Sequence, residues 1–179
     1  MQSETITKAN WLHYYFKAHV NYWSINVTRL VIKTYIRPIL EYAVSAWNSG
    51  MLGDSCELEK IQRRLSKLCP EIKDLPYEER LKQLNLPSLK DRRIRGDQIN
   101  LYKQINSNKI LFNQFFNFNN LATRGHNFKL HVPRVHTDIG RRSFYFRVID
   151  KWNSLPSDVV NASSVLKFKI LYDVNNCCI

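Results

Sequence analysis

A mainly α-helical fold is the expectation for this 179-residue chain, and three features lead to it. Apolar residues recur at spacings of three and four over several stretches, as one buried helical face requires. Ser or Asp precedes some of these stretches, twice with an acid three residues on, where a helix needs side chains for its first free N–H groups. Proline mostly punctuates the stretches and interrupts only one. Residues 123–137 alternate loosely and contain Pro133, so they read as a short β hairpin or two short extended pieces. The expected architecture is a helical bundle over residues 1–110, an Asn/Phe-rich connector over 111–122, and a small α+β module carrying the hairpin over 123–179.

The elements follow in order. Residues 1–24 are rich in aromatics and poor in turn signals. Residues 25–48 read as helix, with Val27, Leu30, Val31, Ile39, Ala43 and Trp47 near one face. Pro38 removes one hydrogen bond and crowds the carbonyl of Thr34, so a kink is expected near Arg37. Gly50 and Gly53 mark a turn, and Asp54 with Glu57 reads as a capping box. Leu58, Ile61, Leu65 and Leu68 then form a narrow apolar stripe that Pro70 ends. Pro76 opens a short helix with Leu81 and Leu84 inward. Ser88 caps a longer one, with Asp91 as its capping-box partner and Leu89, Ile99, Tyr102 and Ile105 inward. Gly96 weakens that helix by about 1 kcal/mol, so a close packing contact is expected there. The run Phe115-Phe116-Asn117-Phe118-Asn119-Asn120 reads as an aromatic strand tucked against the bundle, since exposed Phe is costly. Phe144, Val148, Trp152 and Leu155 return to helical spacing, and Ser164 caps a last helix carrying Val165, Phe168 and Leu171.

The chain carries a formal charge of +12. Residues 99–152 hold nine Lys and Arg against two acids. A basic excess of this kind attracts polyanions, nucleic acid foremost. Four groups of side chains are candidates. Lys60, Arg63, Arg64 and Lys67 share the side of a helix opposite its apolar stripe; they read as a phosphate grip or as a solvated face balanced by Glu57 and Glu59. Arg92, Arg93 and Arg95 form the densest knot, read as a phosphate site or as an internal salt-bridge network with Asp91 and Asp97. Arg124, Lys129, Arg134, Arg141, Arg142 and Arg147 have only Asp138 for company, which favours nucleic-acid contact. His126 reads as a structural hydrogen-bonder or a phosphate contact. His126, His131 and His136 recur every five residues, a spacing that converges on no metal in either a helix or a strand. Trp47 and Trp152 lie on apolar faces and read as core. Glu78-Glu79 sits in a first helical turn, where acids favour the macrodipole. No apolar run is long enough to span a bilayer. Cys56, Cys69, Cys177 and Cys178 show no C-x-x-C spacing. An intracellular setting, nucleus and/or cytoplasm, is therefore expected.

One ordered string of blocks adds to this reading. It runs Arg37-Pro38-Ile39-Leu40-Glu41-Tyr42-Ala43 with Trp47, Leu58-Glu59-Lys60-Ile61-Gln62-Arg63-Arg64, Tyr77-Glu78-Glu79-Arg80-Leu81, Asp91-Arg92-Arg93-Ile94-Arg95-Gly96-Asp97, Thr123-Arg124-Gly125-His126 and Trp152-Asn153-Ser154-Leu155-Pro156. In this order and spacing the blocks resemble the C-terminal region of jockey-like non-LTR (LINE-type) retrotransposon reverse transcriptases. The resemblance covers about residues 30–170. It implies a thumb-like helical bundle with a C-terminal extension, downstream of the polymerase palm. The palm's Tyr-x-Asp-Asp motif does not occur in these residues. No polymerase activity is expected of the chain alone, and no cofactor within it; Mg²⁺ would belong to the palm. The resemblance implies binding of template–primer or element RNA, as RNA, RNA–DNA or DNA duplex, and a palm and fingers polypeptide as a further partner. Two other readings stand beside it: a helical protein-interaction module co-opted from, or docking on, a reverse transcriptase, and a decayed reading frame.

Overall fold

The computed structural model describes residues 2–42, 52–107, 109–119 and 126–176. Helices dominate them. The chain divides into two compact units, Met1–Arg93 and Ile94–Ile179. The expected division at residue 110 followed a change in composition. The division by contacts falls inside the long helix Leu89–Ser107, because Leu89 packs into the first core while Ile99, Leu101 and Tyr102 pack into the second.

In the first unit, helix α1 (Gln2–His19) turns Ala9 and His13 inward, with Ile6, Leu12 and Phe16 packed alongside. Ser24 caps α2 (Ile25–Val31), its hydroxyl accepting from the Val27 amide at 3.2 Å. A π-helical turn, Ile32–Ile36, then leads into α3 (Arg37–Glu41). The kink expected at Pro38 takes this form. Proline has no N–H to return to Thr34, and one wider turn relieves its ring from the carbonyl. The buried positions are Thr28, Val31, Ile32, Ile36 and Leu40. Leu30, expected inward, lies off this face and is exposed. Ala43, Trp47 and Gly50 lie outside the described residues.

Helix α4 (Leu52–Ser66) begins before Asp54, so Asp54 lies within its first turn and not at its cap. Leu58, Ile61 and Leu65 are buried as the stripe requires, and Gln62, Ser66 and Cys69 widen it. Helix α5 (Tyr77–Gln83) follows Pro76. It ends in a Schellman turn: the Leu86 amide donates to Leu81 and the Asn85 amide to Lys82, with Asn85 left-handed at φ 48°. Asn tolerates that conformation better than most residues, and Leu86 packs with Leu81 to close the turn. Ser88 then caps α6 (Leu89–Ser107), accepting from the Asp91 amide at 3.1 Å and donating to its carboxylate at 2.7 Å.

In the second unit, the expected aromatic strand begins as helix α7 (Lys109–Phe115). Phe112 and Phe116, one turn apart, are buried and stacked, so helical spacing is what buries this pair. The expected β hairpin is absent from the described residues. An isolated antiparallel bridge joins Phe118 to Leu130 instead, and Asn153 holds the Leu130 backbone from the other side, N–H and C=O both at 2.8 Å. A side-chain clamp thus takes the place of a second strand. Residues 131–136 are irregular; α8 (Asp138–Arg142), α9 (Phe144–Asn153), α10 (Ser157–Val160) and α11 (Val165–Asn175) follow. Ser164 caps α11 as expected, but Phe168 and Tyr172 are its buried residues while Val165 and Leu171 are half-buried.

The packing contact expected at Gly96 is also missing: a Cβ built there meets nothing within 4 Å. The glycine therefore costs helix stability with no steric return. Gly96→Ala should raise stability by about 0.5–1 kcal/mol, read as a rise in the urea midpoint. An unchanged or lower midpoint would mean that the helix is not formed at this position.

Candidate nucleic-acid interface

The cations sort into two kinds. On α4, Lys60, Arg63 and Arg64 are exposed, with Lys67 just beyond its last turn. Lys60 pairs with Glu57 at 2.5 Å, an exposed i,i+3 bridge worth little. Arg63 lies over the Tyr77 ring at 4.6 Å, and Arg64 donates to Asn10 Oδ1 at 3.3 Å. None of Arg63, Arg64 and Lys67 has a carboxylate within ion-pair distance among the described residues.

The arginine knot on α6 is built differently. Arg92 grips both carboxylate oxygens of Glu41, one of them at 2.6 Å. Arg95 holds Asp173 with two bonds of 2.5 and 2.7 Å. Arg93 is 5 % exposed. Of the two readings open for this knot, the salt-bridge network is the one present, although its acids are remote in sequence. Asp91 is instead committed to the cap, and Asp97 pairs with Arg147 at 2.8 and 3.2 Å.

Among the candidates of the C-terminal stretch, Arg124 lies outside the described residues. His126 is buried, and its Nε2 lies 3.1 Å from the Trp152 carbonyl. Burial lowers its pKa, against the opposing pull of that carbonyl and with help from Lys129. Of the two readings open for His126, the structural hydrogen bond is the one present. Lys129 is half-buried. Arg134, Arg141 and Arg142 are exposed and have no ion-pair partner among the described residues. Arg134, His136 and Arg141 line a hollow of about 510 Å³ with Val132, Val135, Phe146, Arg147 and Asp150. Helix α8 sets Arg141 there. Thr137 caps it, accepting from the Gly140 amide at 3.2 Å, and a Cβ on Gly140 would lie 2.5 Å from Val135 Cγ1. A larger residue at position 140 would have to displace the Val135 side chain.

A buried polar network in the first unit lay outside the sequence reading. Arg37 donates from Nε to Gln62 Oε1 at 3.2 Å and from Nη2 to the Pro87 carbonyl at 2.6 Å. Gln62 donates to the Tyr77 hydroxyl at 3.0 Å, and Tyr77 donates to Glu59. Arg80 donates to the Arg63 carbonyl at 3.1 Å. Burial pushes the Arg37 pKa down to about 10, with further repulsion from Arg92, so it stays a cation at neutral pH. Burial and the bond to Glu59 push the Tyr77 pKa up. The polar residues of the sequence blocks meet here: Arg37 and Glu41 from the first, Glu59 and Gln62 from the second, Tyr77 and Arg80 from the third, Arg92 from the fourth. In the second unit His126 and Trp152 join the last two blocks. Reading each block as a unit of mutual contact, and not only of exposed charge, would have found the network.

Among the described residues no group of three His, Cys, Asp or Glu could hold a metal ion. No described helix is long and apolar enough to cross a membrane. Cys177 and Cys178 lie outside the described residues, while Cys56 and Cys69 are free thiols. Fold and site together define a mainly helical protein whose two compact units each expose cations with no acid at ion-pair distance among the described residues. Comparisons with protein-family models, curated proteins and solved structures find no significant match.

Proposed function

We propose that this chain is the C-terminal, thumb and downstream portion of a non-LTR reverse transcriptase. In this reading it binds template–primer or element RNA through backbone phosphates, without a polymerase centre in these residues. The sorting of its cations carries the reading. Arg37, Arg80, Arg92, Arg93, Arg95 and Arg147 are spent inside the fold, buried or bonded. Arg63, Arg64, Lys67, Arg134, Arg141 and Arg142 stand exposed without an acid at ion-pair distance among the described residues. Phosphate contacts of this kind position a nucleic acid and carry no sequence information. If roughly five phosphates are engaged, log affinity for a duplex falls with log salt at a slope of about −4. Arg134→Ala with Arg141→Ala should make that slope shallower by about one unit per lost contact. Binding that does not change with salt would reject the reading.

Polymerisation needs metal-binding carboxylates held together at a two-metal site, and the Mg²⁺ of such a site belongs in this reading to the palm. The purified chain should extend no primer on an RNA template with dNTPs and Mg²⁺ or Mn²⁺. Extension above a heat-killed control would overturn that expectation. A second reading, a protein-interaction module that docks on a palm polypeptide, draws on α11. Leu166, Ile170 and Val174 recur there every four residues, all exposed. Charged substitutions on that stripe that abolish capture of a palm polypeptide, with RNA binding by the chain absent, would favour it.

A further inference from the structure

A row of aromatic side chains on α1 lies outside the buried core. Ala9 and His13 face the core, so Trp11, Tyr14 and Tyr15 face away; Trp11 and Tyr14 are 63 % and 64 % exposed. Trp11 stacks on Tyr15 with ring centroids 5.4 Å apart and planes 21° apart. Tyr15 stacks in turn on His19 at 4.2 Å and 22°. The His19 ring also lies 2.8 Å, through Nδ1, from the Tyr15 carbonyl. The i,i+4 spacing along the helix therefore holds three rings nearly parallel, in water, with the outer face of Trp11 open. Exposed rings of this size are costly to leave bare.

The surroundings say what covers them. Arg64 of the basic α4 face donates to Asn10, the residue next to Trp11. Asn10 lies one turn before Tyr14 on the same helix, so the Arg64 guanidinium stands at the edge of this aromatic surface. The exposed side chains are aromatic, where the α11 stripe is aliphatic. Flat π-faces beside cations are the chemistry of unpaired bases on a charged strand: bases stack, and phosphates meet the cations. A duplex offers phosphates but keeps its base faces covered.

We propose that Trp11 and Tyr15 form a stacking platform for unpaired nucleotides, next to the phosphate-binding face of α4. The proposal rests on the reading that this face binds nucleic acid, and it names the form bound here as single-stranded.

The test uses the full chain with an unstructured oligouridine and with a blunt RNA–DNA duplex. Trp11→Ala with Tyr15→Ala should weaken oligouridine binding by at least about fivefold, the worth of one lost base stack. Duplex binding and the thermal midpoint should not change, because both rings are outside the core. Trp11→Phe, which keeps a ring, should retain most of the oligouridine affinity. Tryptophan fluorescence of the unaltered chain should be quenched by oligouridine, and that quenching should shrink in Trp11→Phe. Full oligouridine affinity in the double variant, with duplex still bound, would overturn the platform and leave the nucleic-acid reading intact. An unaltered chain that binds neither ligand would overturn both. Self-association that the double variant abolishes, with oligouridine affinity unchanged, would make the row a contact between copies and overturn the proposal.

Discussion

Trp152→Ala should lower the stability of the C-terminal unit by about 3–5 kcal/mol, a large part of the ~5–15 kcal/mol that a domain of this kind has. Trp152 is 1 % exposed, and its ring packs with Phe168 at a centroid distance of 6.1 Å. Truncation would empty one of the largest volumes in that core. It would also remove the indole N–H that donates to the Phe128 carbonyl at 2.9 Å, and the ring edge that packs on His126. Trp152→Phe separates these terms. It refills most of the volume and loses the hydrogen bond, about 1 kcal/mol, with a smaller packing loss than alanine. Urea denaturation gives both values, and an alanine variant as stable as the original would show that Trp152 is not in the core.

Gln62→Leu should cost about 2–4 kcal/mol, although it nearly conserves volume and places an apolar group in an apolar stripe. The side chain is 1 % exposed and bridges Arg37 to Tyr77. Leucine leaves the Arg37 Nε–H without its acceptor beside a charge that burial already penalises. It also removes the donor to the Tyr77 hydroxyl. Partly satisfied polar networks are worse for stability than apolar packing, because the remaining groups cannot return to water. Gln62→Glu should cost less at neutral pH, since a carboxylate still accepts from Arg37. If Gln62→Leu instead stabilises the protein, the Arg37–Gln62–Tyr77 network is not formed.

Much of the secondary structure was legible because it is local. The Leu58, Ile61, Leu65 stripe, the Ser88 and Ser164 caps and the Pro38 kink depend on residues within one or two turns of each other. The misreadings have identifiable causes. A π turn interrupts the helix read over residues 25–48, and the side chain of Asn153, remote in sequence, holds the Leu130 backbone where a hairpin was expected. The Phe/Asn run from Phe115 reads as strand by composition, yet a helix, Lys109–Phe115, leads into it and stacks Phe112 on Phe116 at helical spacing.

The candidate site divides along the same line. By itself the sequence determined that the chain is basic, mainly helical, and positive along α4 and the 124–147 stretch. Which cations are available to a ligand was decided only by tertiary structure. Arg92 meets Glu41, Arg95 meets Asp173 and Arg147 meets Asp97, each across 50 or more residues. A charge next to acids in sequence is not thereby neutralised, and one far from them is not thereby free. An ion pair depends on distance through space, and a desolvated pair holds only when the fold places both partners within a few ångströms. The same folding left Arg134 and Arg141 at an open hollow with no ion-pair partner among the described residues, a distinction from Arg147 that their sequence neighbourhood does not show.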